Sequence, residues 1–241
     1  MKNLIITICS AVIGLIGLAG CGSNNVLVDK NFVTKPYIET AFVSDFVAKH
    51  GALVRGQVRQ DLFNIDLNDR LSTFVWQGYS QKENDFIERD FGLTYNFSIN
   101  EKVSLRIGYQ YWDYPSGTFG DHDEALKAGA HYSGKIDLDY DLTQLLPVGP
   151  TESGTRHYFK ASKTFPIYKK DDLSISLTPS LSTACIDNYY GNSGLSQITP
   201  GINLGIVMAK LNINVFVNKQ LSQNSQIENI TWSGMSLGWK F

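Results

Sequence analysis

The sequence is short of cysteine, of proline and of charge of either sign. Of its three cysteines, Cys9 and Cys21 lie in or just after the first apolar stretch, and only Cys185 is left for the body. An intramolecular disulfide framework is therefore excluded there. Seven prolines in 241 residues leave long stretches of backbone able to donate to a strand ladder. A formal net charge of -2 gives no electrostatic case for nucleic acid as a partner. The four histidines are isolated, and no cysteine or carboxylate cluster stands at ligand spacing, so no metal site and no cofactor are expected. Mean hydropathy of -0.14 excludes a bundle of membrane helices. It does not exclude a membrane barrel, in which only every second strand residue must be apolar.

What is present is glycine (21), aromatic residues (12%) and an abundance of Thr, Ser, Asn and Tyr, a composition suited to many strands and tight turns. The clearest stretch is Phe86 to Ile99. Ile87, Phe91, Leu93, Tyr95, Phe97 and Ile99 share one face, and Glu88, Asp90, Gly92, Thr94, Asn96 and Ser98 share the other. Period-two alternation of that length is a strand signal.

Comparable segments give twelve strands. They are Pro36 to Val47, Leu53 to Leu67, Leu71 to Ser80, Phe86 to Ile99, Lys102 to Tyr114, Glu124 to Ser133, one from Ile136 through Leu142, His157 to Ile167, one from Leu173 through Leu181, Ile198 to Met208, Leu211 to Val217, and the terminal Met235 to Phe241. Phase is ambiguous between Val58 and Phe63, which suggests a bulge, and again around Phe74 to Trp76. Pro179 and Pro200 interrupt two of the strands, so ten strands is the alternative count.

The connections alternate between short (Asn68 to Arg70, Asn100-Glu101, Ser133 to Lys135, Lys169 to Asp172, Ala209-Lys210) and long (Gln81 to Asp85, Pro115 to Asp123, Pro147 to Arg156, Ile186 to Leu195, Lys219 to Asn229). Short turns on one rim and long loops on the other are the habit of transmembrane barrels. The predicted fold is thus all-β, a transmembrane antiparallel up-and-down β-barrel. Phe97, Tyr132, Phe165, Trp239 and Phe241 are expected near one rim and Tyr109 and Tyr111 near the other, as interfacial aromatic girdles.

The last seven residues place Met235, Leu237, Trp239 and Phe241 on one face, with Ser236, Gly238 and Lys240 opposite. This resembles the closing strand of bacterial outer-membrane β-barrels. The resemblance implies recognition of these four residues by the barrel-assembly machinery and a partner strand near Tyr37 to Val47. Ala41-Phe42-Val43-Ser44-Asp45-Phe46 is similar to the first strand of a small uncharacterised proteobacterial barrel family. At the other end, Met1-Lys2-Asn3, the apolar run Leu4 to Gly20 and then Leu18-Ala19-Gly20-Cys21 resemble a lipoprotein signal with its lipobox. That implies a signal peptide over 1-20, lipid attachment at Cys21, a tether over 21-35 and a barrel over 36-241. The implied address is the bacterial outer membrane, with both barrel termini periplasmic and outer-membrane lipids as surroundings.

The phase of the strands predicts lumen-lining charges of both signs: Arg55, Arg59, Arg106, Lys127 and Lys160 against Glu88, Asp90, Asp137, Asp139 and Asp141. Such a lumen suits a channel for a small solute, or a charge network bracing a structural barrel. The Asp137-Asp139-Asp141 ladder steps about 7 Å at a time, too far for three ligands on one cation. Two alternatives stand beside the channel. One is a non-conducting barrel whose long loops bind an external ligand. The other is a lipid esterase, because His131-x-Ser133 resembles the His-x-Ser pair of outer-membrane lipid esterases. That pair is in lumen phase, away from lipid, and no catalytic activity is expected.

Overall fold

The computed structural model describes residues 35-49, 51, 53-117, 121-148 and 152-241. The signal peptide expected over 1-20, Cys21 and most of the tether lie outside them. The described strands are β1 (Lys35–Val43), β2 (Phe46–Val47), β3 (Leu53–Val54), β4 (Val58–Asp66), β5 (Leu71–Ser80), β6 (Asp85–Ser98), β7 (Val103–Asp113), β8 (His122–Tyr132), β9 (Asp137–Leu145), β10 (Thr155–Ser162), β11 (Phe165–Lys170), β12 (Leu173–Tyr189), β13 (Asn192–Met208), β14 (Leu211–Ser222) and β15 (Ile230–Lys240).

Every wall strand pairs antiparallel with its neighbours, and the sheet closes on itself into a twelve-strand barrel. One joint is β15 on β1, from Tyr37 opposite Lys240 to Val43 opposite Gly234. The others close β9 to β12 through β10. β10 and β11 are one wall strand interrupted at Lys163-Thr164, since both pair with β12 in continuing register. β2 and β3 pair only with each other and stand apart from the wall.

Alternation fixes which side each residue faces. Ile38, Phe42, Phe63, Val75, Phe91, Ile107, Leu126, Phe159, Leu181, Ile202, Val215, Met235, Leu237 and Trp239 are all exposed, and together they make an outward apolar belt. Their neighbours in sequence turn into the lumen. The short turns are built by asparagine: Asn68 Oδ1 accepts from the backbone N–H of Arg70 and Leu71 at 2.8 Å. Asn100 Oδ1 does the same for Lys102 and Val103 at 2.8 and 2.9 Å. These side chains mimic a backbone turn and hold the strands close.

The two prolines explain why twelve strands survive. Pro179 and Pro200 both pair across β12–β13, opposite Ile202 and Leu181. On their other sides the ladder is broken. β10 gives way to β11 opposite Thr178-Pro179, and the β13–β14 register skips from Ile198 to Gly201. Each missing donor thus falls at a gap in one ladder. The bulge expected between Val58 and Phe63 is absent, as β4 pairs without a break from Val58 to Asp66. Instead the bulge lies in β6 opposite Gly78-Tyr79, and it turns Ile87 inward beside Glu88.

Two further expectations change at the long-loop end. The first strand stops at Val43 rather than Val47, and the predicted second strand splits into β3 and β4. The predicted loop Ile186 to Leu195 is mostly strand, with a tip at Tyr190-Gly191, where both residues have φ near the left-handed region (52° and 73°).

Gly92 shows how tightly the lumen wall packs. It lies opposite Phe74, whose ring occupies the space a Cβ would need. Gly92→Val should therefore cost about 2 kcal/mol through overpacking. A lowered temperature for loss of the folded, heat-modifiable band on gels would register it, and an unchanged midpoint would contradict the packing described.

Candidate functional site

Between β1 and β4, the described residues 44-49, 51 and 53-57 do not project outward as a loop, and Lys49 and Gly51 turn into the barrel. Ser44 N–H donates to Ser233 O at 2.9 Å, which ends β1 against β15. Asp45 Oδ1 then accepts from Gly56 N–H at 3.1 Å, drawing the two ends of the segment together. Gly51 and Gly56 take φ of 95° and 101°, a conformation that suits glycine, and permit the inward turn. Phe46 and Val54 pack on Val43, Val58 and Ile87. The tip crosses to the far wall. Lys49 Nζ reaches Asp141 Oδ2 on β9 at 3.0 Å and lies 4.8 Å from the centre of the Tyr158 ring on β10. Gln197 Nε2 on β13 donates to Lys49 O at 2.6 Å, and Gln220 Nε2 on β14 donates to Gly51 O at 3.5 Å. One loop is therefore tied to four strands across the lumen.

Asp141 is the hub. Arg106 Nε on β7 donates to its other oxygen at 3.1 Å, so one carboxylate serves two cations. Lys127 on β8 sits over Trp112 at 5.8 Å. Arg156 on β10 donates from Nη2 to Thr143 Oγ1 at 2.9 Å and lies over Tyr189 at 5.5 Å. It is 5% exposed, and its Nε has no hydrogen-bond partner. Glu88 and Asp90 supply the carboxylates of β6, on the inward face opposite Gly78 and Trp76. Lumen residues nearer the short-turn end are more open: the side chains of Arg106, His131 and Asp139 are 32%, 34% and 29% exposed. The lumen is thus accessible to water from the short-turn end up to the level of Asp141.

Beyond that level, towards the long loops, buried side chains of the described residues gather on the inner wall. Trp112, Tyr114, Ala125, Leu145, Ile186 and Tyr189 form one buried cluster. Asp123 is also buried, and it accepts hydrogen bonds from the hydroxyls of Tyr114 (3.0 Å) and Tyr190. Both tyrosines lie outside the strands. Burial, reinforced by neighbouring tyrosines and carboxylates, holds their ionisation well above the ordinary phenol value. They stay protonated and act as donors at neutral pH.

The expected lumen charges divide. Glu88, Asp90, Arg106, Lys127, Asp139, Asp141 and Lys160 lie on the inward faces of β6 to β10, where Lys160 sits between Asp139 and Ser182 in register. Asp137 is inward at the short-turn end and accepts from Ser133 Oγ at 3.2 Å. Arg59 is a correction. It shares a face with Phe63, opposite Phe42, and therefore points out of the barrel, because β4 keeps one phase where a bulge was expected. Arg55 is a second correction: it sits outside the wall strands, exposed, and pairs with Glu228. Lys49, Arg156 and Asp123 were missed. Arg156 and Asp123 fell in segments assigned to loops, and the inward fold of Lys49 is a long-range event with no local periodicity.

His131 Nδ1 bonds to Asp139 Oδ1 at 2.9 Å, while Ser133 donates to Asp137. The two halves of the His-x-Ser pair thus engage separate carboxylates. Among the described residues no group of three or more metal-binding side chains gathers.

No protein-family model matches the chain, and no curated protein matches it in sequence. Solved structures do. A KdgM porin is 11% identical with a TM-score of 0.57, covering 85% of this chain and 99% of that one. The same porin in complex with disordered oligogalacturonate matches equally. LpxR from Salmonella typhimurium is 9% identical with a TM-score of 0.52, covering 86% and 100%. A NanC porin is 6% identical at 0.50, covering 86% and 98%. At such identities the likeness is one of fold, that of bacterial outer-membrane barrels.

Proposed function

We propose that this chain spans a bacterial outer membrane as a porin-like barrel, with the long loops outside and both barrel ends of the chain in the periplasm. Small polar solutes pass a constriction made by the inward segment 44-57. The reading rests chiefly on one observation, the bridge from Lys49 across the lumen to Asp141, with water-accessible charged wall on one side of it. A constriction carrying both charge signs favours small solutes with polar or charged groups over bulky or apolar ones. The outward belt supplies the surface that acyl chains require. A structural relative holds an oligogalacturonate, and an elongated polar solute suits this lumen as well. Lipid attachment at Cys21 and recognition of Met235, Leu237, Trp239 and Phe241 by the assembly machinery belong to the same proposal. No catalytic step is assigned to His131 or Ser133.

The buried cluster around Tyr189 and Arg156 favours a second reading, a closed barrel whose outer end binds a ligand without conducting. Planar-bilayer recording separates the two. Small discrete conductance steps are expected from the channel. Silence at every applied voltage, from protein verified as inserted, would leave the closed barrel.

A further inference from the structure

A groove crosses the wall where the barrel closes. β1 pairs with β15 only as far as Val43 opposite Gly234, whereas β15 runs on along β14 to Ile230. At Ser44, whose N–H donates to Ser233 O at 2.9 Å, the chain leaves the wall and turns inward. The groove beside this departure measures about 610 Å³. Its membrane-side stretch is apolar, lined by the exposed residues Phe42, Val215 and Val217. Met235 lies between Phe42 and Val215 in register. Its long-loop end is polar and uncharged, lined by Ser44, Gln57, Gln81 and Ser233. Two cations flank that end. Arg59 on β4 lies directly across from Phe42, and Lys219 on β14 stands two residues beyond Val217 on the same face. Among the described residues Arg59 donates only from Nε, to Asp61 at 3.1 Å, and its side chain is 41% exposed. Lys219 is exposed and has no ion pair among the described residues.

We propose that this groove holds one lipid of the leaflet on the long-loop side. Its acyl chain lies along Phe42, Met235 and Val215, and its phosphate-bearing headgroup lies between Arg59 and Lys219. The proposal rests on the membrane-spanning reading above. Along the groove the surface changes from apolar to hydroxyl and amide and then to cationic, the order in which a lipid presents chain, ester and phosphate. Gln57, Gln81, Ser44 and Ser233 carry side-chain donors for ester and phosphate oxygens. Arg59 and Lys219 stand three strand spacings apart, about 14 Å at ~4.8 Å each, so a headgroup fits between two long side chains. The free Nη groups of Arg59 suit a phosphate, and Lys219 adds a point charge. Asp61 does not oppose this, because its charge is taken up by donors from Thr40, Arg59 and Gln77. The far wall offers no such order: on β12 the exposed Leu181 is followed on its face by Thr183, Cys185 and Asp187, with no cation.

The test exposes the folded, full-length barrel in detergent to two lipids with identical acyl chains, phosphatidylglycerol and phosphate-free diglucosyl diacylglycerol. Native mass spectrometry then counts what is retained. One phosphatidylglycerol should stay bound, preferred over the glycolipid roughly tenfold, as two interfacial cations imply. Arg59→Gln with Lys219→Gln should bring the two lipids close to parity. Val215→Trp, which fills the groove and leaves both cations in place, should lose both lipids. Heat-modifiable migration verifies that each variant is folded, and Lys219→Gln alone, on an exposed side chain, serves if the double variant does not fold. Equal retention of the two lipids by the unaltered protein would overturn the proposal. So would an undiminished preference without the cations, or undiminished retention by Val215→Trp. Flotation with vesicles of the same lipids keeps the two readings apart. Protein that floats yet shows no preference refutes only the lipid site, whereas protein that does not float refutes the membrane-spanning reading beneath it.

Discussion

Replacing residues 46-54 by a two-glycine link should raise single-channel conductance on the order of fivefold, because conductance follows the open cross-section of the lumen. The segment removed contains Lys49, whose side chain reaches Asp141 and whose carbonyl accepts from Gln197. Phe46 and Val54 go with it, and the cluster of Val43, Val58 and Ile87 loses two packing partners. Some stability is therefore lost as the lumen opens. Heat-modifiable migration of the shortened protein establishes that the wall still closes. An unchanged conductance in a folded, shortened barrel would mean that the cluster around Tyr189 closes the lumen, and the loop does not.

Asp141→Asn should destabilise the folded barrel by about 2 kcal/mol. Breaking a buried pair costs more than that, but here the partners are half-solvated, which screens the loss. Asp141 itself is 11% exposed, whereas Lys49 and Arg106 are 48% and 32% exposed in their side chains. The substitution keeps the shape and removes the charge that balances both cations. The midpoint of urea unfolding in detergent measures it. A double-mutant cycle with Lys49→Met tests the bridge itself. If the Lys49–Asp141 contact is as drawn, the two substitutions together should cost less than their separate costs added. Strict additivity would indicate that the loop is held by Gln197 and Gln220 instead.

The wall was legible because it is local. Strict alternation from Phe86 to Ile99 predicts β6 almost to its ends, and the last strand's expected partner near Tyr37 to Val47 is the observed one. Asparagines announced the tight turns at Asn68 and Asn100. Long-range choices were the ones that escaped. An inward-folded segment has no period of its own, so residues 44-57 read as strand ends and a loop. A change of phase expected between Val58 and Phe63 places Arg59 in the lumen, whereas the continuous pairing of β4 carries it outward beside Phe63. The prolines misled in the opposite sense: Pro179 and Pro200 looked like breaks in two strands, and each is accommodated by a gap on one side only.

The central claim, a barrel whose alternate residues face lipid and lumen, is tested most directly by nitroxide labels placed singly along β15 from residue 231 to residue 239, in a Cys185→Ser background. In reconstituted bilayers the account predicts a period of two in collision with dissolved oxygen. Positions 235, 237 and 239 should be strongly accessible to it and shielded from a water-soluble paramagnetic reagent, and positions 236 and 238 should not be. Uniform access of the water-soluble reagent along the strand, with no alternation, would contradict it.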